Sequence, residues 1–172
     1  MIRVVITGSE CTGKTTLSEA LAAHYTAARV PEFARTFVHE KGASPDYGDV
    51  EVIARGQMEL EDQYSAEAPD LLVQDTDLLS TLVYSNHYYR KCPAWIEAAL
   101  RNRPADLYLL AGIDVPWVAD GDQRDRPDRR DEMHGLFRSA LAARRLRFTE
   151  LRGGEEDRLA AAICAIDALT CA

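Results

Sequence analysis

A chain of 172 residues, 47% hydrophobic and 28% charged, has the size of one domain and enough apolar residues to bury a core. Its formal charge of −8 and isoelectric point near 5.0 exclude a general nucleic-acid or anionic-membrane surface, which requires a clustered basic face. A small anionic ligand stays compatible, because a local nest of amides can oppose the global sign.

Cys11, Cys92, Cys164 and Cys171 lack C-x-x-C spacing, and the N-terminal apolar run is too short for a signal sequence or a membrane span. This reads as a reduced cytoplasmic protein without disulfides. Seventeen arginines stand against Lys14, Lys41 and Lys91, so an Arg-using chain keeps a lysine where a compact ammonium fits beside phosphates. No repeat or low-complexity linker interrupts the chain. Apolar runs alternate with amphipathic ones, the pattern of an α/β layer fold with a parallel sheet.

The first strand is predicted over about Arg3 to Thr7, and a helix from Lys14 to about Tyr25 with Leu17 and Leu21 one turn apart. Between them lies Gly8-Ser9-Glu10-Cys11-Thr12-Gly13-Lys14-Thr15, the G-x-x-x-x-G-K-[ST] pattern in its strand–loop–helix setting. Glycines let backbone N–H groups wrap a phosphate chain, and the helix start adds its positive dipole end. Lys14 would reach the terminal phosphates and Thr15 would place its hydroxyl on Mg²⁺. The plainer reading, a glycine turn before a helix, explains neither the lysine nor the threonine.

A short second strand over roughly Ala28 to Pro31 delivers Glu32-Phe33-Ala34-Arg35. Ligands of open α/β sheets sit beyond the carboxyl ends of the strands, so Glu32 is aimed at the phosphate crevice; equally, it suits the first turn of a helix. A long helix from Asp49 to Glu67 carries Val50, Ile53, Leu60 and Tyr64 on one stripe, with Gln57 in its middle. A buried Gln must be hydrogen-bonded, to a structural partner or to a ligand.

The strand Asp70 to Gln74 ends in Asp75-Thr76-Asp77. Asp75 fits the metal-side carboxylate of P-loop enzymes. Asp77 faces the same way if the chain stays extended, or caps the following helix, Leu78 to about Tyr89. Further elements are a helix Ala94 to Asn102, a strand Leu107 to Leu110, a helix ending near Arg145, a strand Arg147 to Leu151 and a last helix Glu155 to about Thr170. Trp117 falls in a crevice-end loop, as a core plug or a stacking surface. The segment from about 119 to 132 is nearly all charge, with Arg124, Arg126, Arg129 and Arg130 among acids. It is either a solvated face or a small Arg-rich lid that closes guanidinium groups over transferring phosphate.

Taken together, Gly8 to Leu17, Pro31 to Arg35, Ile53-Ala54 with Gln57, Gln74-Asp75-Thr76-Asp77, Asp114 to Gly121 and the Gly153 to Arg158 turn resemble the nicotinamide riboside kinase domain of the NadR type. That family is a branch of P-loop small-molecule kinases, and the matching pieces lie in family order over nearly the whole chain. The resemblance implies a single domain over residues 1–172, a three-layer P-loop NTPase sandwich with a central five-stranded parallel sheet. It also implies ATP- and Mg²⁺-dependent phosphorylation of the ribose 5′-hydroxyl of nicotinamide riboside. Gly8, Glu10, Cys11, Thr12, Gly13, Lys14, Thr15, Thr16, Arg124, Arg152 and Gly153 would then bind the nucleotide. Thr15 and Asp75 would hold the metal, and Glu32, Phe33, Arg35, Gln57, Asp77, Trp117 and Asp120 would surround the nucleoside. Lys14, Glu32, Asp75, Arg129 and Arg130 are the candidate catalytic residues, with Glu32 or Asp75 as base.

Trp117, with Phe33 or Tyr47, would stack the pyridinium cation, worth about 0.5–2 kcal/mol. Longer family members carry an adenylyltransferase domain with a His-x-Gly-His motif, which His24, His39, His87 and His134 do not form; the expectation here is the kinase activity alone. Cys11-Thr12 replaces a common Ser-Ser or Ser-Thr pair, a mild change where backbone amides do the binding. The partner expected is a small nucleoside, with no nucleic acid and no membrane, and the pattern sets no oligomeric state. A kinase for another nucleoside, nucleotide or small alcohol, and an ATP-binding regulatory switch, are the competing readings.

Overall fold

The computed structural model describes residues 1–67, 69–116 and 129–170. Five parallel strands, β1 (Ile2–Thr7), β2 (Ala28–Val30), β3 (Leu71–Asp75), β4 (Leu107–Ala111) and β5 (Phe148–Leu151), form one sheet in the order β2-β3-β1-β4-β5. Helices α1 (Lys14–Tyr25), α2 (Phe33–Lys41), α3 (Val50–Ser65), α4 (Leu78–Tyr89), α5 (Ala94–Asn102), α6 (Arg130–Ala143) and α7 (Glu155–Thr170) cover its two faces.

The central strands are apolar on both faces because both are covered, as parallel sheets require. On one face Val4, Ile6, Val73, Leu107 and Leu109 pack on Leu17 and Leu21 of α1 and on Ala162 and Ile166 of α7. On the other, Val5, Tyr108 and Leu110 pack on Ala54 of α3, Leu79 and Val83 of α4, Ile96 and Leu100 of α5, and Met133 and Phe137 of α6. The chain therefore leaves β1 onto one face through α1 and leaves its neighbour β3 onto the other through α4. The loops after these strands diverge there, and a crevice opens between them.

The predicted elements match closely for α1, α4, α5 and α7, while the second strand stops at Val30. Helix α2 is an addition, and Glu32 stands at its N-cap position. In α3 the buried stripe is Val50, Ile53, Ala54, Gly56, Gln57 and Glu61, with Leu60 and Tyr64 only half-buried. Gly56 is in that stripe because Phe33 occupies the notch it leaves. A Cβ on Gly56 would stand 2.3 Å from the Phe33 ring.

Gly56→Ala is therefore expected to lower stability by about 1–3 kcal/mol through overpacking, despite alanine's higher helix propensity of about 1 kcal/mol. Urea denaturation checks this, and an unchanged or raised midpoint contradicts the notch.

Candidate functional site

The loop from Gly8 to Gly13 reverses the chain at the end of β1 with positive φ at Gly8 (136°), Cys11 (54°) and Gly13 (76°). Gly8 is also confined by space, since a Cβ there would approach the Ala111 carbonyl oxygen to 3.0 Å. The Thr12 hydroxyl donates to Ser9 O at 2.8 Å, and Lys14 Nζ arches back to the same carbonyl, also at 2.8 Å. Lys14 is thereby held across the loop mouth. Gly13 caps α1 without a side-chain hydrogen bond, so the first N–H groups of the helix face the crevice.

Thr15 Oγ1 donates to Asp75 Oδ2 at 2.7 Å, joining the first turn of α1 to the end of β3. Arg29 on β2 stands 3.9 Å from the same oxygen. Asp75 is buried, and its Oδ1 has no hydrogen-bond partner among the described residues. An anionic oxygen with unused acceptor capacity beside a hydroxyl, at the mouth of a phosphate loop, is a donor set that suits Mg²⁺.

Two cavities meet at this point. One, of about 880 Å³, runs along the start of α1 between Val115-Pro116 and the start of α7, lined by Thr12, Gly13, Thr15, Thr16 and Leu159 among others. The other, of about 420 Å³, lies between α2, α3 and α4 and is lined by Gly8, Glu10, Glu32, Gln57, Asp77 and the tyrosines Tyr84, Tyr88 and Tyr89. Cys11, Lys14 and Arg35 border both.

Glu32 projects into the second cavity. Its side chain makes no cap bond to α2 and lies 3.8 Å from Arg35 Nε. Burial pushes its carboxyl above the ordinary range, with Lys14 opposing the rise and Asp75 adding to it. Asp77 has the opposite fate. Thr76 takes a φ of 73°, so the chain turns rather than staying extended. Asp77 then caps α4 by accepting from Leu79 N–H at 2.9 Å and accepts from the Tyr108 hydroxyl at 2.7 Å. The capping alternative is the one its carboxylate follows, at the cavity floor. Burial raises Asp77 to about 6, although both hydrogen bonds and Arg3 favour its charged form. Nearby on α3, burial and then the Asp77 charge lift Glu61 to about 7, against Arg3 and Arg103.

Several expected residues are engaged by the protein's own groups or lie away from the cavities. Phe33 does not line the cavity; its ring turns to Gly56 and stands 6.4 Å from Phe37. Tyr47 packs edge-on against Tyr89 at 5.6 Å and under Lys91 at 3.8 Å. Gln57 has a structural partner: Oε1 accepts from Phe33 N–H at 2.9 Å and Nε2 donates to Pro31 O at 3.5 Å. Arg152 is exposed and pairs with Glu150, while Gly153 N–H donates to Asp114. Arg129 is exposed at the start of α6. Arg130 reaches back to the loop, donating to Val115 O at 2.9 Å and Cys11 O at 3.4 Å. Trp117, Asp120, Arg124 and Arg126, and most of the expected lid, lie outside the described residues.

Other participants were not singled out from the sequence. Tyr84 and Tyr88 present nearly parallel rings 6.0 Å apart on the cavity wall; their i, i+4 spacing on α4 was the available signal. Arg158, buried in α7, donates to Thr12 O at 2.7 Å, Gly112 O at 3.0 Å and Gly153 O at 2.9 Å, and pairs with Asp114.

The sheet order, the loop and the paired cavities define a P-loop nucleotide-binding domain. Residues 3–158 match the AAA domain family, and the chain belongs to it. Within that class it is similar to the trifunctional NAD biosynthesis/regulator proteins NadR of Escherichia coli K12 and Salmonella typhimurium LT2, each 29% identical over 122 residues. The match covers 69% of this chain but 30% of those proteins, less than a third of their length. A solved NadR protein in complex with NAD and AMP-PNP shares the fold at a TM-score of 0.77 and 25% identity, over 99% of this chain and 50% of that one. A NadR protein in complex with NR gives 0.73 at 24%, over 88% and 46%. YorR of Bacillus subtilis, in complex with phosphorylated GDP, shares the fold at 0.60 and 13%, over 99% and 98%. The resemblance to NadR-type proteins read from the motifs holds in sequence and in fold. No helix among the described residues is long and apolar enough to cross a membrane.

The Asp77 carboxyl gives a signed pH test. A folded pKa raised above the unfolded value contributes stability that is present at low pH and lost as pH rises through about 6. Asp77→Asn is therefore expected to gain stability over the native chain as pH climbs from 4 to 8, on the order of 1–3 kcal/mol. Thermal unfolding at both pH values checks this, and a pH-independent difference between the two proteins contradicts it.

Proposed function

We propose that the domain transfers the γ-phosphoryl group of ATP to the ribose 5′-hydroxyl of nicotinamide riboside. One observation carries the reading: the two cavities share Lys14, Cys11 and Arg35, so ligands in each would meet at the lysine of the phosphate loop. The larger cavity suits a nucleotide whose phosphates run over the α1 N-terminus. The smaller, with Glu10, Glu32, Asp77 and three tyrosines in its lining, suits a small cationic nucleoside. That NadR proteins have been solved with NR and with AMP-PNP supports this pairing of ligands.

In this mechanism the chain's own residues position and neutralise. Lys14 and the loop amides offset charge on the transferring phosphate, with Arg130 supporting the loop from the start of α6. Thr15 and Asp75 would hold Mg²⁺, which when bound offsets phosphate charge. Glu32 orients the acceptor hydroxyl and takes its proton. Asp75 is engaged with Thr15, whereas Glu32 faces the acceptor cavity. The tyrosine wall takes the stacking role expected of Phe33 or Tyr47 beside Trp117. Asp77 supports that wall by capping α4.

The direct test incubates the protein with ATP, Mg²⁺ and nicotinamide riboside and looks for a product heavier by one phosphate, with other nucleosides and small alcohols in parallel. Failure to phosphorylate any of them while hydrolysing ATP slowly would leave a regulatory switch. Glu32→Gln is expected to lower turnover by about 100- to 10,000-fold. In the native enzyme kcat should rise with pH through a value above the ordinary glutamate range, because the base must be deprotonated. Arg130→Ala is expected to lower turnover by about tenfold or more; unchanged kinetics would return Arg130 to a purely structural place.

A further inference from the structure

We propose that Gln57 is a positioning residue for Glu32: it holds the backbone on both sides of Glu32 at the start of α2, so that the Glu32 carboxylate faces the acceptor cavity. The proposal rests on the phosphoryl-transfer reading above. An aspartate at an N-cap normally folds back to accept an orphan N–H group of the first turn. Asp77 does so at α4, accepting from Leu79 N–H at 2.9 Å. Glu32 holds the same N-cap position on α2 and makes no such bond.

The difference lies in α3. Gln57, only 2% exposed, accepts the Phe33 N–H at 2.9 Å and donates to Pro31 O at 3.5 Å. Its carboxamide thus brackets the backbone of Glu32 on both sides and satisfies the first N–H group of α2 from another helix. One residue earlier, the bare Cα of Gly56 receives the Phe33 ring. Adjacent positions of α3 therefore anchor the segment by a hydrogen-bonded bracket and a steric notch. With its backbone fixed, the Glu32 side chain is left to the charged groups facing it, Lys14 and Asp75 across the loop and Arg35 one turn along α2.

Without the bracket, the carboxylate can turn back onto its own helix. An acceptor bond from backbone N–H lowers a carboxyl pKa, and the base moves away from the hydroxyl. Gln57→Met, which keeps length and removes the acceptor, is expected to lower kcat about 10- to 100-fold, the cost of roughly 1 Å of misplacement. KM for ATP and for nicotinamide riboside should stay within about threefold, and the acid limb of kcat should move to lower pH. Gln57→Glu, which keeps an oxygen for Phe33 N–H, should lose markedly less than Gln57→Met. A Gln57→Met enzyme that keeps native kcat and its acid limb overturns the proposal. So does one whose only change is a higher KM for the nucleoside, because Gln57 would then be a ligand contact.

A measurement independent of activity completes the test. Carbon-13 labelling of the glutamate carboxyls follows Glu32 titration by NMR in the folded native protein, in Gln57→Met and in Gln57→Glu, with Glu32→Gln assigning the signal. Titration of Glu32 should move down in Gln57→Met relative to the native chain, and no movement in either variant overturns the bracket. If the titration moves as expected while the native protein phosphorylates none of the acceptors, the bracket stands and the kinase reading fails. If Glu32→Gln abolishes turnover while Gln57→Met changes neither rate nor titration, the kinase reading stands and the bracket fails.

Discussion

The hydrogen bond from Thr15 to Asp75 holds the site together. It links the first turn of α1, on one face of the sheet, to the end of β3, whose continuation α4 lies on the other. Because β1 and β3 are neighbours in register, Ile6 beside Asp75, the bond closes across the strand pair where the chain parts to opposite faces. The mouth of the phosphate loop, the buried Asp75 carboxylate and the division between the two cavities follow from that geometry. A sheet in which both helices left on the same side would bring the same residues together without opening a crevice.

The two acids at helix starts show how one local pattern serves two ends. Asp77 and Glu32 both follow a strand and both precede a helix. Asp77 is spent on its own helix and on the Tyr108 hydroxyl, while Glu32 makes no cap bond and has its backbone held from α3. Short-range sequence assigns both residues the same role. The backbone of Glu32 is held from α3, by a residue 24 positions beyond Phe33.

What the sequence discloses follows the same line. The phosphate loop, its flanking strand and helix, and four helices to their end residues were legible, because apolar periodicity and glycine spacing are local. Asp75 was legible as the acid closing a core strand. The buried Glu61 carboxyl beside Asp77, the tyrosine wall of α4 and the clamp of Arg158 were not, since each depends on which elements the fold brings together. Gln57 was visible as a polar residue in an apolar stripe, but its partner was not. Phe33 illustrates the opposite error: an aromatic beside a candidate base reads as a ligand contact, and here it fills the gap left by a glycine.

Arg158 has a mechanical consequence. One guanidinium holds carbonyls from the turns that follow β1, β4 and β5 and pairs with Asp114. The three turns are thus tied at a single point, and displacing any one of them would pull on the other two.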